Sequence, residues 1–396
     1  MKIALFQPVV PVYRVPVYDL LGSQPGIELT VFSGGQAAGS LTEASPTESF
    51  KIEYARMHPL RLPACKGLSW QSRRAEAMDP QRFDLCILPW DSRNILLPYH
   101  AALARLRGMP LVLWGHGYSK QPRKLTEAWR RLLGRIPDGL LLYTRTVANA
   151  LTQRYHFLPS RVFVAQNAID QRPIQSAAEF WRNRPERLKQ FADSHGLSTN
   201  RTIIFISRLE PDNQIDMMID ATAELQRWDN RCRLVLVGTG SQREVLESRA
   251  KAKGIAAAVR LVGACYKEME LAPWALNSTV MAYPTNIGLS LLHAFGYGLP
   301  VITGDNLASQ NPEIEALRDG WNGLLFRESS VTDLARKCRR VMEESELRGY
   351  LGANALETVL TRYTITNMVQ GFLDATQLVD GKIRTVITAP RAADAP

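Results

Sequence analysis

The 396-residue chain lacks a disulfide framework, a zinc-ligand pattern and a membrane span. Its five cysteines, Cys65, Cys86, Cys232, Cys265 and Cys338, are odd in number, scattered and never spaced as CxxC. That excludes a stapled secreted scaffold and a zinc ribbon, and points to reduced thiols in a cytoplasmic protein. No stretch approaches the ~20 consecutive apolar residues that a membrane span needs. The opening MKIALFQPVVPVYRVP has one Lys in its apolar run, is interrupted by prolines and has no small-residue cleavage site, so it is expected as a first β-strand rather than a signal peptide. The motifs GxxxxGK[ST], HExxH and GxSxG are missing, and no DxD-like pair stands at a strand end.

What is present is a globular composition, 45% hydrophobic and 22% charged, with a formal net charge of +10. The length exceeds one comfortable core and favours two domains of roughly 150–200 residues. The positive balance favours anionic partners. The densest basic clusters, SRRAEAMDPQR, RRLLGR and RNRPERLK, have no interleaved aromatics in a recognition-module pattern, which speaks against nucleic acid. Each reads either as a solvated face or as contact with an anionic membrane surface.

Short apolar runs alternate with helical stretches. KIALFQP, IELTVFS, FDLCILPW, PLVLWGHG, GLLLYTR and VFVAQN read as strands, with helices between most of them. Residues 171–200 are polar with two prolines and no strand, a linker with helical parts. The pattern then restarts with TIIFISRL, CRLVLVGTG, VRLVGA, STVMAYPT and PVITGD as strands. Strands of about five residues alternating with longer helices predict βαβ units. The fold class is therefore α/β, with two Rossmann-like, doubly wound parallel-sheet domains facing across a cleft. The expected boundaries are 1–170 for an acceptor-side domain, 171–200 for the linker, 201–375 for a nucleotide-binding domain and 376–396 for a flexible tail. Ligands in such sheets sit beyond the C-terminal strand ends, which singles out particular loops.

Arg208 follows the strand FIS, where a guanidinium suits a diphosphate by its paired donors and fixed charge; the alternative is a surface arginine bridging to Glu210 or Asp212. Gly238 and Gly240 form half of a GxGxxG whose third position is Arg243, so they either admit a ligand's backbone approach or simply make a tight turn. After VMAYP, the amides of Ile287, Gly288, Leu289 and Ser290 are expected to be unpaired at a helix start, an anion site. His293, alone in an apolar helix, can lean back toward that start or be a satisfied core histidine. His116 lies between glycines just past a strand, where it can orient a hydroxyl or serve as acid or base. Tyr13 and Arg14 occupy the loop after the first strand, where anion binding would fall to Arg14.

As an ordered set, FISRLEPDN, RLVLVGTGSQREVLE, VRLVG, YPTNIGLSLLHAFGYGLPVIT and NGLLF resemble the C-terminal half of family 4 retaining glycosyltransferases of the GT-B fold, and WGHG and VAQNAID resemble matching N-domain elements. The resemblance covers roughly residues 1–375 and implies a nucleotide-diphosphate sugar donor, usually no metal or other cofactor, closure of two domains on the donor, and a final helix, here 351–375, crossing back to the N-domain. It implies a hexosyl-type transfer with retention to a glycan or lipid-linked hydroxyl, in cell-surface polysaccharide, lipopolysaccharide or glycolipid synthesis. It implies donor diphosphate contact for Arg208 and an acceptor-side or sugar contact for His116. Catalytic roles thus fall to His116 and Arg208, donor contacts also to Asn213, Gly238, Thr285, Ile287–Ser290 and His293, and acceptor contacts to Tyr13, Arg14 and His116. The sequence departs from the family where Asn213 replaces a phosphate-binding lysine, and where Thr285 and His293 replace two glutamates separated by seven residues. A cytoplasmic protein, peripheral on the inner membrane face, is expected. The alternatives are an inactive transferase-like scaffold and, less well supported, a nicotinamide-dependent oxidoreductase, which would need an acid that VRLVGA lacks.

Overall fold

Residues 1–35, 47–60, 68–120 and 124–388 are described by the structure, a computed structural model, with side chains through residue 379. The strands are β1 Lys2–Gln7, β2 Glu28–Ser33, β3 Phe50–Tyr54, β4 Met57–Pro59, β5 Ser69–Gln71, β6 Leu85–Pro89, β7 Leu111–Gly115, β8 Gly139–Leu142, β9 Val162–Val164, β10 Thr202–Ile206, β11 Arg233–Val237, β12 Val259–Gly263, β13 Val280–Tyr283, β14 Val301–Gly304 and β15 Gly323–Phe326. The helices are α1 Val15–Gly22, α2 Leu97–Leu106, α3 Lys124–Leu133, α4 Arg145–Asn149, α5 Gln171–Arg182, α6 Pro185–His195, α7 Asp216–Trp228, α8 Arg243–Ala252, α9 Glu268–Leu276, α10 Ser290–Gly296, α11 Val331–Glu343, α12 Ser345–Thr361 and α13 Ile365–Thr388.

Two compact units result: Met1–Gln166 with Ile365–Pro396, and Asn167–Thr364. In the first, seven parallel strands run in the order β3-β2-β1-β6-β7-β8-β9, and β4 and β5 pair antiparallel beside them. In the second, six parallel strands run β12-β11-β10-β13-β14-β15. The central strands are apolar on both faces because helices cover both; every residue of TIIFI (β10) and VMAY (β13) is buried. In each sheet the chain steps outward and then returns to the other side of its first strand, at β1–β6 and at β10–β13. Such switch points leave a crevice at the C-terminal strand ends.

Three sequence expectations change. Residues 171–200 carry α5 and α6 and belong to the second unit. Asp170 caps α5 by accepting from Arg172 N at 3.0 Å, and Ile174, Ala177 and Ala178 are buried in that unit's core. The segment expected as one crossing helix, 351–375, is interrupted at Arg362–Thr364. Its first part belongs to α12 of the second unit, and only α13 joins the first. Finally, α13 runs on to Thr388 through part of the expected tail; residues 389–396 lie outside the described residues.

The attachment of α13 is close. A Cβ on Gly371 would meet Val164 O at 2.2 Å, and one on Gly139 would meet Leu378 at 2.5 Å. Met368, Val369, Phe372, Ala375 and Val379 are buried. Each large one contributes roughly 1.5–3 kcal/mol of apolar burial. Cys86, Cys232 and Cys338 are buried thiols, Cys265 is half-buried, and Cys65 lies outside the described residues. Burial pushes the Cys86 thiol up to about 12, so it stays protonated and inert.

Candidate functional site

In the second unit the switch point is flanked by the loops after β10 and β13. Arg208 leaves the end of β10 and is exposed. Its side chain has no ion pair or hydrogen bond among the described residues. The two acids that could have neutralised it are engaged elsewhere: Glu210 accepts from Ser241 Oγ at 2.7 Å, and Asp212 accepts from Asn286 Nδ2 at 3.2 Å. The Ser241 hydroxyl and amide hold the Glu210 carboxyl below its usual range, so it stays ionised on that serine. The surface-bridge alternative for Arg208 is therefore not what the chain adopts.

The loop that carries Arg208 is fixed by its neighbours. Leu209 N donates to Thr239 O at 2.9 Å and Gln242 N to Leu209 O at 2.9 Å. Gly238 has φ +146, and a Cβ there would fall 1.8 Å from Ser207 O; one on Gly240 would fall 2.3 Å from Leu209 O. Both glycines thus permit two strand-end loops to touch, which accounts for the half-motif without any ligand. Asn213 is also structural: it is buried, and its Nδ2 donates to Arg208 O at 2.8 Å while Oδ1 accepts from Asn286. The amide thereby shapes the arginine's loop.

The α10 start differs from expectation at one residue. Ile287 N is not free but donates to Gln310 Oε1 at 2.8 Å, and Ile287 O accepts from Asn311 N. Gln310 is fully buried and reaches in from the loop after β14. The amides of Gly288, Leu289 and Ser290 have no acceptor among the described residues. Thr285 is buried with Oγ1 3.0 Å from Ser309 Oγ, which itself donates to Asn306 O. It therefore braces the loop.

His293 is neither an isolated core residue nor a free hydrogen-bonding group. Its Nε2 lies 2.9 Å from Glu268 Oε2, and Tyr297 Oη donates to the same oxygen at 2.5 Å. An ionised carboxylate only accepts, so the His293 proton sits on Nε2. Burial alone would raise the Glu268 carboxyl, but the bonds from His293 and Tyr297 outweigh it and hold it below its usual range. Glu268 Oε1 has no partner among the described residues. Glu268 opens α9 at the C-terminal edge of the sheet and was missed in the sequence, since nothing local marks a pairing across 25 positions.

In the first unit, Arg14 ends a short helical turn after β1 and is only 5% exposed. Its guanidinium carbon lies 5.2 Å from the Trp114 ring centre, 5.7 Å from Tyr143 and 5.4 Å from Tyr13, and Nη1 approaches Met368 Sδ at 3.2 Å. Trp114 also meets Phe372 edge-on at 4.8 Å. Anion capture by a protruding Arg14 is thus replaced by an enclosed cation that anchors α13, a use for which stacking geometry suits arginine. Tyr13 is half-buried beside it. His116 follows β7 with its ring 5.0 Å from Tyr143 and 6.2 Å from Tyr118. Surrounding protein desolvates the ring although part of the residue is exposed, and Lys120, Arg130 and Arg14 add positive potential; together they push its pKa down to about 4. His116 is neutral at pH 7 and able to accept a proton or hydrogen bond. Structure therefore brings Tyr13, Arg14 and His116 into one aromatic, cationic cluster, and Arg208, Asn213, Gly238, Thr285, Gly288 and their neighbours into another.

Residues 187–358 match the family described as Glycosyl transferases group 1. The chain is 31% identical over 287 residues to a D-inositol 3-phosphate glycosyltransferase of Nocardioides sp., a match spanning 65% of this chain and 60% of that protein's length. It is 22% identical over 284 residues to the alpha-D-kanosaminyltransferase of Streptomyces kanamyceticus, covering 68% of this chain and 70% of that one. Among solved structures it is similar to Anabaena HepE in complex with UDP, with TM-score 0.71, 16% identity and coverage of 95% and 100%. It is likewise similar to the lipopolysaccharide outer core galactosyltransferase WaaB, with TM-score 0.65, 16% identity and coverage of 95% and 99%. The fold is GT-B: two Rossmann-like parallel-sheet domains.

Proposed function

We propose that the chain is a glycosyltransferase that takes a sugar from a nucleotide-diphosphate donor held by the second unit and places it on a hydroxyl acceptor held by the first. The observation that carries this is Arg208, an exposed guanidinium at the β10–β13 switch point whose neighbouring acids are engaged elsewhere. The group 1 match over residues 187–358 supports it. Arg208, with the amides of Gly288, Leu289 and Ser290, neutralises the diphosphate, and charge on that leaving group grows in the transition state, where fixed donors act most strongly. Glu268, steadied by His293 and Tyr297, offers Oε1 to a ribose hydroxyl. The carboxylate that relatives are expected to carry at position 293 is thereby supplied from α9. Neutral His116 accepts from, and so orients, the acceptor hydroxyl.

Retention, a hexosyl donor, absence of a metal requirement and a role in cell-surface glycan or glycolipid synthesis are carried by the family resemblance. Contact with an anionic membrane surface is supported by the +10 charge. The test is release of nucleoside diphosphate from a panel of nucleotide-sugars with glycan and lipid-linked acceptors. Turnover on one donor, lost by at least about 100-fold in Arg208→Ala, is the expected outcome. Full activity in that variant refutes the diphosphate role, and donor binding without turnover on any acceptor favours a scaffold.

A further inference from the structure

The chain from Asn94 to Ile136 contains eight cations (Arg105, Arg107, Lys120, Arg123, Lys124, Arg130, Arg131, Arg135) and a single acid, Glu127. Glu127 is paired with Arg130 on the same helix. This segment holds α2 and α3, which link β6 to β7 and β7 to β8, consecutive neighbours in the sheet. Right-handed crossovers stepping in one direction put both helices on one face. Consistent with that, Leu97, Ala101 and Ala104 of α2 share a core with Leu133 of α3 and with Leu88, Leu113 and Leu140 of the strands between them.

Leu133 is the only residue of α3 that is buried. Leu125, Trp129 and Leu132 follow at spacings of four and three, hence on one side of the helix, and are 87%, 45% and 55% exposed. On α2, Tyr99 and Leu106, seven residues apart, are 56% and 85% exposed. Large apolar side chains concentrated this way on one face of a monomer mark an interaction surface. Two of the bordering cations are held in place by packing: Arg131 lies 4.5 Å over the Tyr155 ring and Arg135 4.8 Å over Phe157.

We propose that the outer faces of α2 and α3 dock the protein on an anionic lipid bilayer. Leucines set between a tryptophan and a tyrosine suit the boundary of headgroups and acyl chains. The surplus cations suit a negatively charged leaflet. A second copy of the chain is a poor occupant, because it would set like charges against each other. The surface goes beyond the transferase reading and rests on it only for its purpose, which is to bring the enzyme to a lipid-carried acceptor.

The experiment is co-sedimentation of the full chain with vesicles of phosphatidylcholine alone and of phosphatidylcholine with about 30% phosphatidylglycerol, at about 0.1 and 0.5 M salt. Expected is binding to the anionic vesicles at least tenfold above the neutral ones, weakened by salt. In the Leu125→Ser/Trp129→Ser/Leu132→Ser variant, binding drops by at least tenfold, with an unchanged melting temperature. A wild type that leaves anionic vesicles unbound overturns the proposal. So does a folded variant that binds as well as wild type, or a wild-type dimer that the variant abolishes. Donor turnover without vesicles is followed in parallel: its absence in a vesicle-binding wild type counts against the transferase reading and leaves the docking surface standing.

Discussion

His293 Nε2 and Glu268 Oε2 are 2.9 Å apart, so the histidine of α10 and the first residue of α9 form one hydrogen-bonded unit, joined on the same oxygen by Tyr297. A substitution at either position therefore has to be judged through the other. His293→Glu sets two carboxylates against each other. It is expected to lose about 1–3 kcal/mol of stability near neutral pH, and to recover part of it at acid pH as one carboxyl protonates. The exchange variant Glu268→His/His293→Glu is expected to regain most of that stability. Urea unfolding of the four proteins checks the cycle; additive losses would break the link.

The same pair predicts a signature in nucleotide binding. Wild type is expected to bind a ribonucleoside diphosphate at least about tenfold, ~1.4 kcal/mol, more tightly than its 2′,3′-dideoxy analogue. Glu268→Gln narrows that ratio without a comparable change in melting temperature. Titration calorimetry with both ligands reads it, and an unaltered ratio would remove Glu268 from the ribose.

His116, held near 4 by desolvation and by Lys120, Arg130 and Arg14, stays neutral throughout the range in which an ordinary histidine titrates. Activity that needs its neutral form should persist from pH 7 down to about 5, with no acid limb centred at the usual ~6.5. His116→Ala should lower kcat/KM by at least about tenfold. A loss within about threefold would take His116 out of the site.

Gly238→Ala drives a methyl group into Ser207 O at a φ of +146. A loss of more than about 3 kcal/mol is expected. Gly26, also at positive φ but with nothing within 4 Å of its Cβ position, gives a control whose alanine variant should lose only about 1 kcal/mol. Equal melting temperatures for the two variants would contradict the contact.

His100 is buried in the first unit, and desolvation, with Arg74 nearby, pushes its pKa down to about 4. A depressed histidine binds its proton more readily when unfolded. Stability is therefore full above about pH 6.5 and falls as pH drops toward 4, by up to about 3 kcal/mol from this group alone. His100→Leu should flatten that part of a stability–pH curve measured by urea unfolding.

The parallel strands were legible because helices cover both faces and leave continuous apolar runs such as TIIFI and RLVLV. β3 and the β4–β5 pair were not: FKIEY alternates and lies at a sheet edge, and MHP and SWQ are too short to show a period. The helical stripe of α5 at Ile174, Ala177 and Ala178 was present in the sequence but masked by the polar residues around it. At the site, Arg208 could be placed because a strand end fixes position in space. The engagement of Ile287 N by Gln310, the pairing of His293 with Glu268, and the enclosure of Arg14 under Trp114 and Met368 join residues 23, 25 and up to 354 positions apart. No local pattern carries such contacts.

The attachment of α13 also bears on the order in which a ribosome-bound chain can mature. The second unit is one uninterrupted segment, Asn167–Thr364, and all of it has been synthesised before α13 begins. The first unit starts at Met1 yet needs Met368 to meet Arg14 and Phe372 to cover Trp114. Domains usually mature from the N-terminus onward during synthesis. Here the half that is translated first is completed last, and until then its Trp114 lacks the cover of Phe372.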